Sequence, residues 1–195
     1  MQNAEELLRT SVWGQALTET EMSRAVDGTC ERAFAAGAFI CMKGDPVDAW
    51  MGIIDGLGKM ASFWTTGKTT SLIGISTGGW FGEGSLLKNE PRRYDVMALR
   101  ATRVAFMNRS TFLWLMDHSI AFNRYLITQL NERLGQFIGM MENERLLDPD
   151  ARIARCLAGL FNPVLYPGTS RLLQISQEEL GYLAGRRAFL NVGRY

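Results

Sequence analysis

Apolar and polar positions change rhythm along the chain. Over residues 1 to about 28, Leu7, Leu8, Val12, Trp13 and Leu17, then Thr18 and Thr20 around Glu19 and ahead of Met22, follow an amphipathic pattern. That stretch predicts short helices joined by turns. From about Cys30 to Met107, brief runs of Phe, Ile, Val, Trp and Thr are punctuated by Gly37, Gly44, Gly52, Gly56, Gly58, Gly67, Gly74, Gly78 and Gly79. Regular turn signals between short apolar runs predict an antiparallel sandwich or jelly roll. Thr65-Thr66-Gly67-Lys68 predicts a hairpin turn whose glycine takes the positive backbone angle.

Beyond Ser110 the glycines thin out, and Ile127, Leu130, Leu134, Phe137 and Met141 recur at alternating spacings of three and four. This heptad seam predicts a helix from about Ile120 to Leu146. Such a stripe either packs on the chain's own sheet or meets a partner helix. A helix longer than a small sandwich can cover favours the partner, and so a homodimer. Asp148-Pro149 ends it, because proline cannot continue the hydrogen-bond ladder. The predicted class is therefore α+β, divided into residues 1–116, a dimerisation helix at 117–147 and a C-terminal unit at 148–195.

In that last unit a helix over ARIARCLAGLF is followed by a loop built on Pro163, Pro167 and Gly168. Ser176 and Glu179 then form a capping box and start a helix. Gly181 is small enough for a second helix to cross closely, Gly185 is free to make the turn, and Leu180, Leu183 and Ala184 supply the buried side. This is helix-turn-helix spacing, which aims the first turn of the following helix into a major groove. An ordinary helical hairpin ending in glycine shares much of it.

Composition narrows the function classes. The chain has 195 residues, 47% hydrophobic and 21% charged, enough for one sizeable core or two small ones. No apolar run nears the roughly 20 residues a bilayer requires, and the start lacks a signal peptide's pattern. The expectation is a cytoplasmic protein with no membrane partner. Three cysteines, Cys30, Cys41 and Cys156, are too scattered for a disulfide framework, and the single histidine, His118, cannot supply a two-imidazole metal site. No Ser/His/Asp triad or paired-carboxylate cleft can be assembled, so an enzyme is not expected. Six arginines against Glu178 and Glu179 give residues 151–195 a net charge of +4, against −3 for the remainder of this +1 chain. The basic tail suits a nucleic-acid contact.

One stretch carries site chemistry. In GGWFGEGSLL the glycines precede a short helical turn that exposes backbone N–H groups to an anion, and Arg92 and Arg93 follow Glu83 by nine and ten residues. A guanidinium can clamp a phosphate while a carboxylate accepts from a sugar hydroxyl. GGWFGEGSLLKNEPRRYDVMAL resembles the phosphate-binding cassette of the cyclic-nucleotide-binding domain. ISQEELGYLAG resembles the helix-turn-helix of the Crp/Fnr family of bacterial transcription regulators. The order of elements agrees from about Val12 onward.

The resemblance implies an effector jelly roll at 1–116, a DNA-binding winged helix-turn-helix at 148–195, a homodimer, double-stranded DNA as partner, and RNA polymerase as a second one. It places a small effector of nucleotide type at Gly82, Glu83, Gly84 and Ser85, with Arg93, or Arg92 if the loop is shifted, on the phosphate. Tyr94 stands where cyclic-AMP binders carry a hydroxyl residue, and Phe137 and Ile138 stand where they reach adenine. Apolar groups cannot replace those hydrogen bonds, which disfavours cyclic AMP. An iron–sulfur cluster needs four cysteines and is excluded. On the DNA side the family pattern points to Ser176, Gln177, Arg186, Arg187, Asn191 and Arg194. Gly185 leads directly into Arg186, which departs from that pattern, and the chain stops at Tyr195 before a recognition helix and wing are complete. The expectation is a truncated DNA-binding unit, with an effector-binding dimerisation module without productive DNA binding as the alternative.

Overall fold

The computed structural model describes residues 2–63, 69–146, 149–168, 173 and 175–183. Asn3 caps the first helix, α1 (Ala4–Thr10), by accepting from the Glu6 amide. Thr18 and Glu21 cap α2 (Glu19–Asp27) reciprocally, each side chain satisfying the other's backbone N–H. Eight strands follow, β1 (Thr29–Phe34), β2 (Phe39–Cys41), β3 (Ala49–Asp55), β4 (Leu57–Phe63), β5 (Thr69–Ser76), β6 (Trp80–Phe81), β7 (Asp95–Ala98) and β8 (Thr102–Asn108), with a short helix, α3 (Glu83–Lys88), between β6 and β7. The chain then turns helical in α4 (Arg109–His118), α5 (Ile120–Leu146), α6 (Pro149–Gly159) and α7 (Gln177–Leu183).

The strands form two antiparallel four-stranded sheets, in the orders β1-β8-β3-β6 and β2-β7-β4-β5, facing each other as a jelly roll. The predicted hairpin turn at Thr65–Lys68 lies outside the described residues. Its flanks pair in register, Phe63 opposite Thr69.

Period-two alternation explains why β3 is buried on both faces. Ala49, Met51 and Ile53 point between the sheets with Phe81, Val96, Val104 and Phe106. Trp50 and Ile54 point outward beneath the helices, joining Trp13, Trp80, Phe112 and Phe122. There Trp50 and Trp80 lie 4.3 Å apart between ring centroids, and Trp13 is 5.3 Å from each. The helices thereby become part of the core.

Helix α5 spans Ile120–Leu146, about 40 Å at 1.5 Å per residue, as the apolar periodicity predicts. Its apolar residues divide between two faces. Phe122, Leu126 and the flank of Phe137 pack inward. Ile120, Ile127, Leu130, Leu134, Ile138 and Met141 form an exposed stripe on the other side. Phe137 therefore leaves the predicted seam, and Ile138 joins it. Adjacent helical residues point about 100° apart, so one faces the jelly roll and the other does not.

Among the described residues no helix is long and apolar enough to cross a membrane, and no group of three His, Cys, Asp or Glu could hold a metal ion. His118 closes α4, stacked at 4.5 Å on Trp114 with its Nδ1 2.8 Å from the Trp114 carbonyl.

Candidate effector pocket

Strand β6 delivers the chain to Gly82, whose φ of +96° only glycine adopts without strain. Space adds a second requirement, since a Cβ there would lie 2.9 Å from Arg92 Nη1. Gly82 caps α3, and Asn89 in the left-handed region ends it. Nothing lies within 4 Å of the position a Cβ would take on Gly84, so the first turn of α3 has room above it. Glu83 and Ser85 are buried.

Glu83 is only 5% exposed, and its Oε2 has no hydrogen-bond partner among the described residues. A buried carboxylate oxygen without a donor costs about 1–3 kcal/mol or more, so the arrangement suits an absent donor such as a sugar hydroxyl.

The two arginines part company. Arg92 is 5% exposed, donates from Nη2 to the Ala49 carbonyl at 2.9 Å and lies 3.8 Å from Asp48. Its backbone is clamped on both sides, N–H to the Asp45 carbonyl and C=O from the Gly44 amide. Arg93 turns outward and pairs with Glu90 through Nε at 3.0 Å and Nη2 at 2.7 Å. Of the two positions left open by the sequence, Arg92 stands beside Gly82 and Arg93 stands outside the pocket.

Helix α5 brings two buried polar side chains to the same region. Gln129 and Arg133, one turn apart, both donate to the Trp80 carbonyl, at 3.0 and 2.9 Å. Both are buried, and Gln129 Oε1 has no partner. Burial first and the Glu83 charge second push the Tyr94 and Tyr125 phenols above their ordinary range, so both stay neutral donors. Burial opposes the charge of Arg133, but Tyr166, Glu83 and Tyr94 together outweigh it and hold the guanidinium charged. Beside Arg92, burial pushes the Cys41 thiol up to about 11, leaving it unreactive.

Of the residues the sequence singled out, Glu83, Ser85 and Arg92 are buried around Gly82, Tyr94 and Phe137 pack against the core between the sheets, and Ile138 lies on the exposed stripe. Sequence reasoning missed Tyr125, Gln129 and Arg133. Their signal was a polar ridge at intervals of four, flanking the apolar seam.

On the C-terminal side, Ser176 and Glu179 form the predicted capping box, Glu179 N–H to Ser176 Oγ at 3.1 Å and Ser176 N–H to Glu179 Oε2 at 2.7 Å. Gln177 is exposed at the start of α7. Arg186, Arg187, Asn191 and Arg194 lie outside the described residues.

Comparison with known proteins agrees with this geometry. The family model described as "Cyclic nucleotide-binding domain" matches residues 31–119. A cAMP-dependent protein kinase regulatory subunit from Colletotrichum orbiculare is 30% identical over 112 residues, covering 57% of this chain and 28% of that protein. The chain therefore spans little more than a quarter of that relative's length. Among solved structures, the c-di-GMP responsive global regulator CLP of Xanthomonas campestris superposes with a TM-score of 0.63 at 20% identity, covering 86% of this chain and 85% of CLP. The catabolite activator protein of Thermus thermophilus does so with a TM-score of 0.57 at 24% identity, covering 92% and 80%. At these identities the structural likeness establishes the fold, a cyclic-nucleotide-binding jelly roll followed by a long helix.

Proposed function

We propose that the protein is an effector-responsive, homodimeric transcription regulator of the Crp/Fnr type, acting in the cytoplasm on double-stranded DNA and through it on RNA polymerase. The observation that carries the effector half is the buried Glu83 Oε2, unpartnered among the described residues, in a turn capped by Gly82 next to Arg92, inside the stretch that matches the cyclic nucleotide-binding domain. A ribose hydroxyl would satisfy the carboxylate, and a phosphate the guanidinium and the α3 amides. Neighbours of this fold described as a catabolite activator protein and a global regulator support the DNA half.

The effector is an anionic nucleotide other than cyclic AMP. The α5 wall offers a neutral amide and a cation, Gln129 and Arg133, and Phe137 supplies no hydrogen bond. No metal or iron–sulfur cofactor and no catalysis enter this reading.

A second reading, an effector-binding dimerisation module without productive DNA binding, is favoured by the kinase regulatory subunit as a relative. Titration calorimetry of cyclic mononucleotides and cyclic dinucleotides, each followed by a DNA shift assay on genomic fragments, separates the readings. Micromolar binding of one nucleotide that strengthens or weakens a DNA complex supports the regulator. Nucleotide binding without a DNA complex supports the module. No nucleotide binding removes both.

A further inference from the structure

The loop after α6 enters the effector domain. Tyr166 is fully buried, and with Leu165 it packs in the core between the two sheets. Its ring lies against Gly79, where an added Cβ would meet Tyr166 Cδ1 at 2.8 Å. Its hydroxyl accepts from Arg133 Nη1 at 3.5 Å. The loop is preformed for this insertion: Asn162 Oδ1 accepts from the Val164 and Leu165 amides at 2.9 Å each, and Asn162 Nδ2 donates to Glu132, beside Arg133 on α5.

The same stretch of chain grips the jelly roll at a second place. Leu160 and Leu183 bury themselves with Leu57, close over Gly74 of β5, where a Cβ would lie 2.7 Å from Leu160 Cδ2 and 3.0 Å from Leu183 Cδ1. Arg100, between β7 and β8, holds Glu179 with Nε–Oε1 at 2.8 Å and Nη2–Oε2 at 3.3 Å. Glu179 is also the residue that caps α7, so one carboxylate serves both the helix start and the docking contact.

We infer that Tyr166 is an intramolecular plug at the Arg133 end of the effector pocket, and that an effector which claims Arg133 expels it and undocks α6 and α7 from the jelly roll. The inference rests on the proposed effector reading. The energetic asymmetry favours exchange, because a 3.5 Å bond to a neutral hydroxyl is at the limit of hydrogen bonding. A bond from the Arg133 guanidinium to an anionic ligand is shorter and adds attraction between two opposite charges that the tyrosine hydroxyl lacks. Undocking would break the Arg100–Glu179 pair and hand the capping-box helix to another surface. A ligand shifts this equilibrium only by its preference for the unplugged state, so plug and effector must compete.

Hydrogen exchange on the full chain tests the plug without a ligand. In Tyr166→Ala the amides of Leu180–Leu183 should exchange at least tenfold faster, while those of β3 and β8 keep their protection. Unchanged exchange in α7 with an intact jelly roll overturns the inference. If β3 and β8 also lose protection, Tyr166→Phe decides, since it keeps the ring volume and removes only the hydroxyl. At least twofold faster exchange in α7 supports the plug, and none overturns it. The ligand arm uses whichever cyclic nucleotide binds the native chain. Glu179→Arg should raise its affinity at least threefold and Arg100→Glu combined with Glu179→Arg should restore the native value, whereas equal affinity in all three overturns the competition. Failure of every nucleotide to bind removes the effector reading and leaves the exchange experiment to decide the plug.

Discussion

Arg92 and Arg93 acquire different roles from the backbone that carries them. Gly44 and Asp45 clamp the Arg92 main chain and send its side chain under Gly82, whereas Arg93 emerges beside Glu90. Arg92→Ala should therefore weaken binding of the anionic nucleotide at least 100-fold in calorimetry, the scale of losing a charge-assisted bond and leaving its partner unmatched. Arg93→Ala should change it less than about twofold, since it breaks only an exposed ion pair. Equal losses from both would place the anion outside the pocket. Cys41 makes a pH prediction. Its thiol is pushed up to about 11 from an ordinary 9, mainly by burial, so the folded state favours the protonated form. Its contribution is complete below about pH 9 and is lost as the pH rises to about 11, on the order of 2–3 kcal/mol. Cys156 shifts in the same direction. Urea unfolding of Cys41→Ala against native protein should show a shallower stability loss between pH 9 and 11. An identical slope would mean that Cys41 does not titrate with folding.

At the scale of elements, α5 serves two surfaces. Its inner face carries Phe122, Leu126, Gln129, Arg133 and the flank of Phe137, while the exposed stripe runs from Ile120 to Met141. Ile127 is 67% and Leu134 58% exposed, an apolar exposure that the proposed homodimer would cover. Ile127→Glu with Leu134→Glu should yield monomers by sedimentation velocity with the melting temperature of each jelly roll nearly unchanged. Phe137→Ala should do the opposite, keeping the dimer and costing about 2–4 kcal/mol of stability through lost packing. A dimer that survives the double glutamate variant would have its interface elsewhere.

At the scale of the molecule, the described part of the C-terminal segment meets the jelly roll through the inserted Leu165 and Tyr166, the apolar seam of Leu160 and Leu183, and the Arg100–Glu179 ion pair. Leu160 is 1% exposed although it closes a helix of a different sequence region. Leu160→Ala should cost about 2–4 kcal/mol, concentrated in docking because Leu160 packs on Leu57 and Gly74 of the jelly roll. Trypsin should then cleave after Arg155 several-fold faster while the sheet stays intact. Cleavage at the native rate would show that the seam is dispensable for docking.

The sequence by itself determined the order of elements, the jelly-roll class, the extent of the long helix, the capping box at Ser176 and the glycine-led turn at Gly82. These are local matters, since periodicity, turn chemistry and capping depend on residues a few positions apart. It also singled out Glu83, which the structure buries at the start of α3, because a motif of contiguous residues travels as one unit. Only the tertiary structure decided which arginine faces inward, since that depends on Gly44 and Asp45, far from Arg92 in the chain. Only it separated Phe137 from the exposed stripe, because a heptad repeat marks apolar spacing and not which of two surfaces claims each residue. The burial of Gln129 and Arg133 was invisible for the same reason: it exists only where α5 crosses the Trp80 carbonyl. Tyr166 is the extreme case, a loop tyrosine whose burial beside Arg133 follows from how the C-terminal segment folds back on the sheets. Long-range packing set those positions, and no local pattern encodes it.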